Sequence, residues 1–170
     1  IDTLLEAITG LPQDLQKEVR LDIYGSGPRE DLTALQSLVG AESSVEVNWH
    51  GSIPHEEVPE RAGMSDIAVS PLPPLDAYQV SSPAKIFEYL AMGLPIVASR
   101  IPAHESILNH RETALLYEAN SVKHFRRHLK EIIVDEELRE RLAENARAEA
   151  ETHSWDQRFS VVDDAFNLTE

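Results

Sequence analysis

Four stretches of the chain carry residues whose types and spacing suit chemistry. The first is Gly25-Ser26-Gly27-Pro28, between a run of strand character and a run of helical character. Glycines in such a turn let backbone amides approach a phosphate, and the helix start behind them favours an anion. The dinucleotide fingerprint asks for a third glycine three residues after Gly27. Glu30 stands there, which weakens a nicotinamide reading. From spacing alone a plain tight turn is the stronger reading.

The second stretch is Ser81-Ser82-Pro83-Ala84-Lys85-Ile86-Phe87-Glu88-Tyr89-Leu90. Ser82 can cap a helix, and Pro83 suits a first helical turn, where its lost amide would have been unpaired anyway. The free amides of Ala84 and Lys85 then face the preceding loop. The Lys85 ammonium adds a full charge to the partial charge of the helix start, a combination that suits a diphosphate. Glu88 lies one turn beyond Ala84 on the same face, where its carboxylate could accept two hydrogen bonds from ribose hydroxyls. An ordinary capped helix with a Lys85–Glu88 pair accounts for the same residues equally well.

The third stretch, Asn48-Trp49-His50-Gly51-Ser52-Ile53-Pro54-His55, is a strand end followed by glycine, where a base could lie against the backbone. His50 alone at a strand end reads as structural. In the fourth, His124 and His128 share the i, i+4 spacing of a metal pair. Lys123, Arg126, Arg127 and Lys130 around them repel a cation, so the expectation is a solvated face opposite Phe125 and Leu129. This basic island is expected to pair with the acids after it, Glu131, Asp135, Glu136 and Glu137. No Ser–His–Asp order and no metal-ligand cluster stands out, so no catalytic residue and no metal site is named.

The elements that must position these residues alternate between two periods. Leu4, Leu5, Ile8 and Leu11 recur at helical spacing until Gly10-Leu11-Pro12. Residues 19–24 then read as a strand, 31–39 as a helix, 44–49 as a strand, 56–62 as a short helix and 66–70 as a buried strand. Residues 71–82 read as a proline-rich loop. A helix over 84–92 is closed by Gly93. Strands follow over 95–98 and 114–117, with a short helix over 103–108 between them. Ser121 caps a helix that turns Val122, Phe125, Leu129, Ile132 and Ile133 to one side. A charged helix spans 135–151, and another starts at Ser154-Trp155. The alternation predicts an α/β fold, a doubly wound parallel sheet with C-terminal helices. Right-handed crossovers gather the loops after the strands at one edge, where ligands of such sheets bind.

Composition narrows the classes. Among 170 residues, 30 acids stand against 15 bases, a formal charge of −15. Such a chain repels a phosphate backbone, so nucleic acid is not an expected partner. There is no cysteine, which removes disulfides and thiol chemistry. No apolar run reaches the roughly 18 residues of a membrane span, and no signal-peptide pattern opens the sequence. A cytoplasmic setting fits. At 42% the hydrophobic share suffices for a core.

Taken in order, the blocks resemble the C-terminal, donor-binding half of retaining GT-B glycosyltransferases of the group 1, family four type. They are Leu21-Asp22-Ile23-Tyr24-Gly25-Ser26-Gly27-Pro28, Val47-Asn48-Trp49-His50-Gly51, Asp66-Ile67-Ala68-Val69-Ser70-Pro71 and the run from Ser81 through Leu90 to Ala98. Glu112-Thr113-Ala114-Leu115-Leu116-Tyr117, the helix opening at Asp135 and His153-Ser154-Trp155 complete the set. The resemblance spans almost the whole chain, and the block over 81–98 is its most specific part.

The resemblance implies a Rossmann-like lobe that binds a nucleotide sugar, a UDP-, GDP- or ADP-sugar, with no separate cofactor and no metal. Gly25, Gly27, Ser82, Pro83, Ala84 and Lys85 would hold the diphosphate, Glu88 the ribose, and Ser52 and Ile53 the base. The parent reaction would move a hexosyl group to an acceptor hydroxyl with retention, as in polysaccharide biosynthesis. Many members carry a glutamate eight positions before the ribose glutamate; here it is Val80. Residues 1–170 would form the donor domain without its first strand and without an N-terminal acceptor domain, the expected partner of the final helix and the route to any peripheral membrane contact. The 170 residues alone are therefore expected not to turn over. The rival expectation is a non-catalytic, accessory lobe acting as a binding module.

Overall fold

The computed structural model describes residues 1–27, 33, 37 and 43–153. Of the helix expected over 31–39 only Thr33 and Ser37 are described, both helical, and the helix expected from Ser154 onward lies outside the described residues. Helix α1 (Asp2–Thr9) turns Leu4, Leu5, Ala7 and Ile8 inward. Gly10 closes it, and Pro12 opens α2 (Gln13–Gln16), a single turn that periodicity does not announce. Strand β1 (Arg20–Tyr24) is followed by β2 (Glu46–Gly51). A 3-10 turn at His55–Glu57 runs into α3 (Val58–Ala62). Then come β3 (Ala68–Ser70), α4 (Asp76–Gln79), α5 (Ala84–Met92), β4 (Ile96–Arg100), α6 (Pro102–Glu105) and β5 (Ala114–Glu118). Two longer helices, α7 (Val122–Val134) and α8 (Glu136–Thr152), end the described chain.

Every strand pair is parallel, as an α/β lobe requires. The strands form two sheets, β2–β1 and β3–β4–β5. Successive residues of a strand point to opposite faces, and both faces here are buried. Ile96 and Ala98 of β4 pack with Ile86 and Leu90 of α5, whereas Val97 packs on the other side with α1 and α7. The same split separates Ala114 and Leu116 of β5 from Leu115 and Tyr117. That two-sided burial is why these strands read as continuous apolar runs.

Side chains fasten the N-termini of the two longest helices. Ser121 accepts from the His124 N–H at 3.3 Å, and Asp135 from the Leu138 N–H at 2.9 Å, both as N-caps. Arg139 donates to the Ile132 and Ile133 carbonyls at the end of α7, at 2.9 and 2.7 Å. The buried Gln16 amide donates to the Thr9 and Leu11 carbonyls at 2.8 Å and accepts from the Ser44 N–H at 3.1 Å, tying the α1–α2 turn to the approach of β2. Among the described residues no helix is long and apolar enough to cross a membrane.

Three expectations need correction. The loop over 71–82 contains α4, whose start after Pro73-Pro74-Leu75 is a local turn of helix. The His124/His128 face is only half solvated. His128 lies three residues after Phe125 and four before Ile132, so it shares their buried face and is 2% exposed. Its Nδ1 stands 3.2 Å from the Glu131 carboxylate, and its ring meets His110 edge-on at 5.5 Å. The basic island also does not chiefly serve the acids that follow it. Arg126 donates to the Glu6 and Ala7 carbonyls in the last turn of α1, where a cation complements the helix dipole. Glu131 pairs instead with Arg111 and His128.

The Tyr117 and Phe125 rings stack with centroids 4.2 Å apart and planes within 3°, joining β5 to α7 in the α1-side core. Phe125→Ala should cost about 3–5 kcal/mol, a large part of a domain's whole stability. Urea unfolding measures it. A loss below about 1 kcal/mol would show that α7 is not seated as described.

Candidate functional site

The strands within each sheet are parallel, so their carboxyl ends share an edge from which the loops leave. β1 runs into Gly25, whose φ of +146° is a conformation that side-chain-bearing residues rarely adopt. Its N–H donates to the Gly51 carbonyl at 2.8 Å, and its carbonyl accepts from the Trp49 indole at 3.0 Å. The turn at Gly25–Gly27 is thereby bound to the end of β2. Gly27 is exposed, as is Ser52 beyond β2, while Ile53 is half-buried. His50 stacks on Tyr24 with ring centroids 4.6 Å apart and meets Asp22 at 2.7 Å, in keeping with a structural role. Burial alone would raise the Asp22 pKa, but the hydrogen bonds from His50 and Arg20 bring it below the usual carboxylate range.

Helix α5 occupies residues 84–92 as its sequence predicts, because Pro83 precedes it and Gly93 ends it at φ +66°. Arg147 reinforces that end by donating to the Met92 carbonyl at 3.1 Å. The start differs from expectation. Pro83 is the N-cap and no side chain caps the helix; Ser82 is exposed one position too early to reach the first-turn amides. Among the described residues, the N–H groups of Ala84 and Lys85 therefore have no acceptor. Lys85 is half-buried, and burial pushes its ammonium pKa below the ordinary value. The Lys85–Glu88 pair does not form, and among the described residues no carboxylate pairs with Lys85. Two open amides and an unneutralised, partly desolvated cation make this helix start electropositive within an acidic chain.

Glu88 instead faces the β2 loop, with its carboxylate 3.9 Å from Nε2 of His55. Glu88, expected to take a ribose, thus lies a short gap from the segment that follows Ser52 and Ile53 in the chain. Val80, at the loop's rim, is 88% exposed. Among the described residues no group of three His, Cys, Asp or Glu side chains could hold a metal. A cavity of about 650 Å³ is lined not by these loops but by β1 of one sheet and β3 of the other.

Beneath the loop sits a buried cluster that the sequence reading did not find. His104, Ser70 and Ser99 are fully buried. Nδ1 of His104 is 2.7 Å from the Ser99 carbonyl, which can only accept, so Nδ1 carries the proton. Nε2 then accepts from the Ser70 hydroxyl at 3.0 Å. The imidazole ties the end of β3, where the 71–82 loop begins, to the end of β4. Burial lowers the His104 pKa; the Ser99 carbonyl opposes this and the nearby Lys85 charge adds to it. Ser70 and His104 are 34 residues apart in sequence, so no local pattern could have paired them.

An edge of this kind, where strand ends and a bare helix start surround a lysine, marks parallel α/β domains that hold anionic ligands. Within that class the chain belongs to the family "Glycosyl transferases group 1", whose model matches residues 1–149. Its fold is shared with WaaG, a glycosyltransferase involved in lipopolysaccharide biosynthesis (TM-score 0.74, 22% identity, 89% of this chain and 39% of that chain). It is shared with sucrose-phosphate synthase from Thermosynechococcus elongatus (TM-score 0.75, 21% identity, 98% of this chain and 42% of that chain). The third likeness is to Anabaena HepE, solved in complex with UDP and glucose (TM-score 0.74, 19% identity, 98% of this chain and 44% of that chain). The chain therefore spans about two fifths of each. A comparison with curated protein sequences gave no match.

The buried imidazole has a measurable consequence. His104 has a folded pKa below its unfolded value, so its contribution to stability is complete above the unfolded value. It is lost as pH falls, because only the unfolded chain then takes the proton. His110 and His128 are lowered by burial as well and act in the same direction. The chain should weaken between about pH 6.5 and 5, and His104→Asn should flatten part of that slope. Denaturant midpoints across that window measure it; a stability that rises on acidification would contradict the assignment.

Proposed function

We propose that the chain is the nucleotide-sugar-binding lobe of a glycosyltransferase that moves a hexosyl group from a nucleoside diphosphate to an acceptor hydroxyl. The observation that carries the reading is Lys85: a half-buried ammonium without a carboxylate partner among the described residues, beside the two uncapped amides of α5. Such a group lowers its energy by taking a di-anionic ligand. The diphosphate would lie along Pro83, Ala84 and Lys85, with Gly25 and Gly27 approaching from β1. Glu88 would accept from the ribose hydroxyls, and the base would lie on Ser52 and Ile53. His55, opposite Glu88, would close the ribose end. Family membership and the UDP-bound state of HepE support this assignment.

The same groups would serve the reaction. Charge grows on the diphosphate as the glycosidic bond breaks, so donors fixed at its oxygens bind the transition state more tightly than the substrate. We assign that role to Lys85 and the α5 amides, without a metal, and retention follows from the family resemblance. The acceptor side would belong to the roughly three fifths of the related enzymes that this chain does not span.

Calorimetric titration with UDP, GDP and ADP tests the reading and identifies the base. One of them should bind, and Lys85→Met and Glu88→Ala should each weaken it about tenfold or more, the worth of one charge-assisted hydrogen bond. Affinity unchanged from that of the unsubstituted chain in both variants would overturn the placement. Binding by none, in the 170 residues and in the polypeptide that contains them, would favour a non-catalytic lobe.

A further inference from the structure

The loop over 71–82 leads from the end of β3 to the opening of α5, and its fastenings are few. Among the described residues, every hydrogen bond made by residues 71–82 stays within the loop. The Gln79 N–H donates to the Leu75 carbonyl, and the Ser81 hydroxyl to the Tyr78 carbonyl. The Gln79 side chain also turns back, to Pro74 and Asp76. The loop is rooted instead at Ser70, the residue before Pro71, whose hydroxyl donates to Nε2 of the buried His104. Within the loop, α4 packs on α6, the helix that carries His104. Both of these attachments run through α6.

His104 also decides where the loop begins. In the β3–β4 ladder, Ala68, Val69 and Ser70 lie opposite Ile96, Val97 and Ala98. The Ala68 N–H donates to the Pro95 carbonyl at 2.9 Å. Bonds of a parallel ladder recur at every second residue, so a continued ladder would bring the Leu72 N–H to the Ser99 carbonyl. That carbonyl accepts from Nδ1 of His104 at 2.7 Å and from the Ile101 N–H at 3.1 Å. The imidazole thus takes the next place in the ladder, and Pro71, which has no N–H, leads the chain away from the sheet.

The other end of the loop is the candidate anion site, where Pro83 opens α5 ahead of the uncapped Ala84 and Lys85 amides. The Lys85 charge disfavours a proton on His104, which sets the ammonium near the imidazole. We propose that His104 is a positioning residue: through Ser70 it sets where the 71–82 loop lies, and with the loop the opening of α5. Its effect on a ligand rests on the nucleotide-binding reading above. One rigid ring suits the task because it donates at Nδ1 and accepts at Nε2, so Ser99 and Ser70 are held at a fixed separation.

Three variants separate this role from filling the core. Ser70→Ala removes the root of the loop and leaves the ring in place. His104→Asn puts an amide near the Nδ1 position and keeps the bond to Ser99 alone, whereas His104→Gln puts one near Nε2 and keeps the bond to Ser70. Both lack the ring, so they differ in which bond remains. In the ligand-free chain, Ser70→Ala should move the Tyr78, Ala84 and Lys85 amide chemical shifts. In calorimetric titration with UDP, GDP and ADP, without denaturant, Ser70→Ala and His104→Asn should each weaken binding about fivefold or more, and His104→Gln should restore it. Amide shifts left in place by Ser70→Ala would overturn the proposal. So would affinity unchanged in Ser70→Ala and His104→Asn, or a loss in His104→Gln equal to that in His104→Asn. If no nucleoside diphosphate binds the unsubstituted chain, the nucleotide reading fails, and the amide shifts in Ser70→Ala alone decide on His104.

Discussion

A parallel pair of strands cannot be closed by a tight turn; the chain must climb back over one face of the sheet before it can pair again. Much of this molecule follows from that requirement. The crossovers cover both faces of β4 and β5, so those strands are largely apolar and the strand ends are the place left for polar work. They also have one hand, so every strand ends at the same side. Gly25 and Ser52 follow one pair of parallel strands, and Pro71 and Ile101 follow another. The packing that fixes this order, Val97 and Leu115 against α1 and α7 and Ile86 and Leu90 against β4, is also what holds the site rigid.

Electrostatics then distinguishes one point on that edge. The chain carries a charge of −15, and among the described residues several cations are engaged where the dipole of a helix end or a nearby acid favours them. Arg126, Arg139 and Arg147 satisfy the carbonyls of α1, α7 and α5, and Arg100 and Arg111 meet Glu105 and Glu131. Lys85 differs. It is half-buried at a positive helix end without a carboxylate partner among the described residues, an arrangement that costs stability in the free protein and is relieved by an anion. His104 supports the same region from below by remaining neutral, adding no second full charge under the lysine.

The sequence shows those parts of this arrangement whose causes are local. Helix α5 is legible to the residue because Pro83 and Gly93 are themselves its boundaries. The strands are legible from their apolar residues, with ends displaced by at most two residues. Features set by distant contacts are not legible. The hydrogen bond between His104 and Ser70, the service of Arg126 to α1 and the approach of His55 to Glu88 depend on the assembled fold. His128 is a different case. Its spacing from Phe125 and Ile132 predicts burial, and the charges around it obscured the pattern. The reading of one sheet joined strands that the structure holds as two, since a sequence period cannot say which edges meet.

The central claim is that an uncapped helix start with Lys85, rather than the cavity lined by β1 and β3, is where a nucleoside diphosphate binds. Amide chemical-shift mapping during titration with the tightest-binding nucleoside diphosphate addresses it directly. The account predicts the largest shifts at Gly25, Gly27, Ala84, Lys85 and Glu88, with smaller ones at Ser52 and Ile53. Shifts concentrated instead at Leu21, Ile67, Val69 and Tyr89, residues that line that cavity, would contradict it.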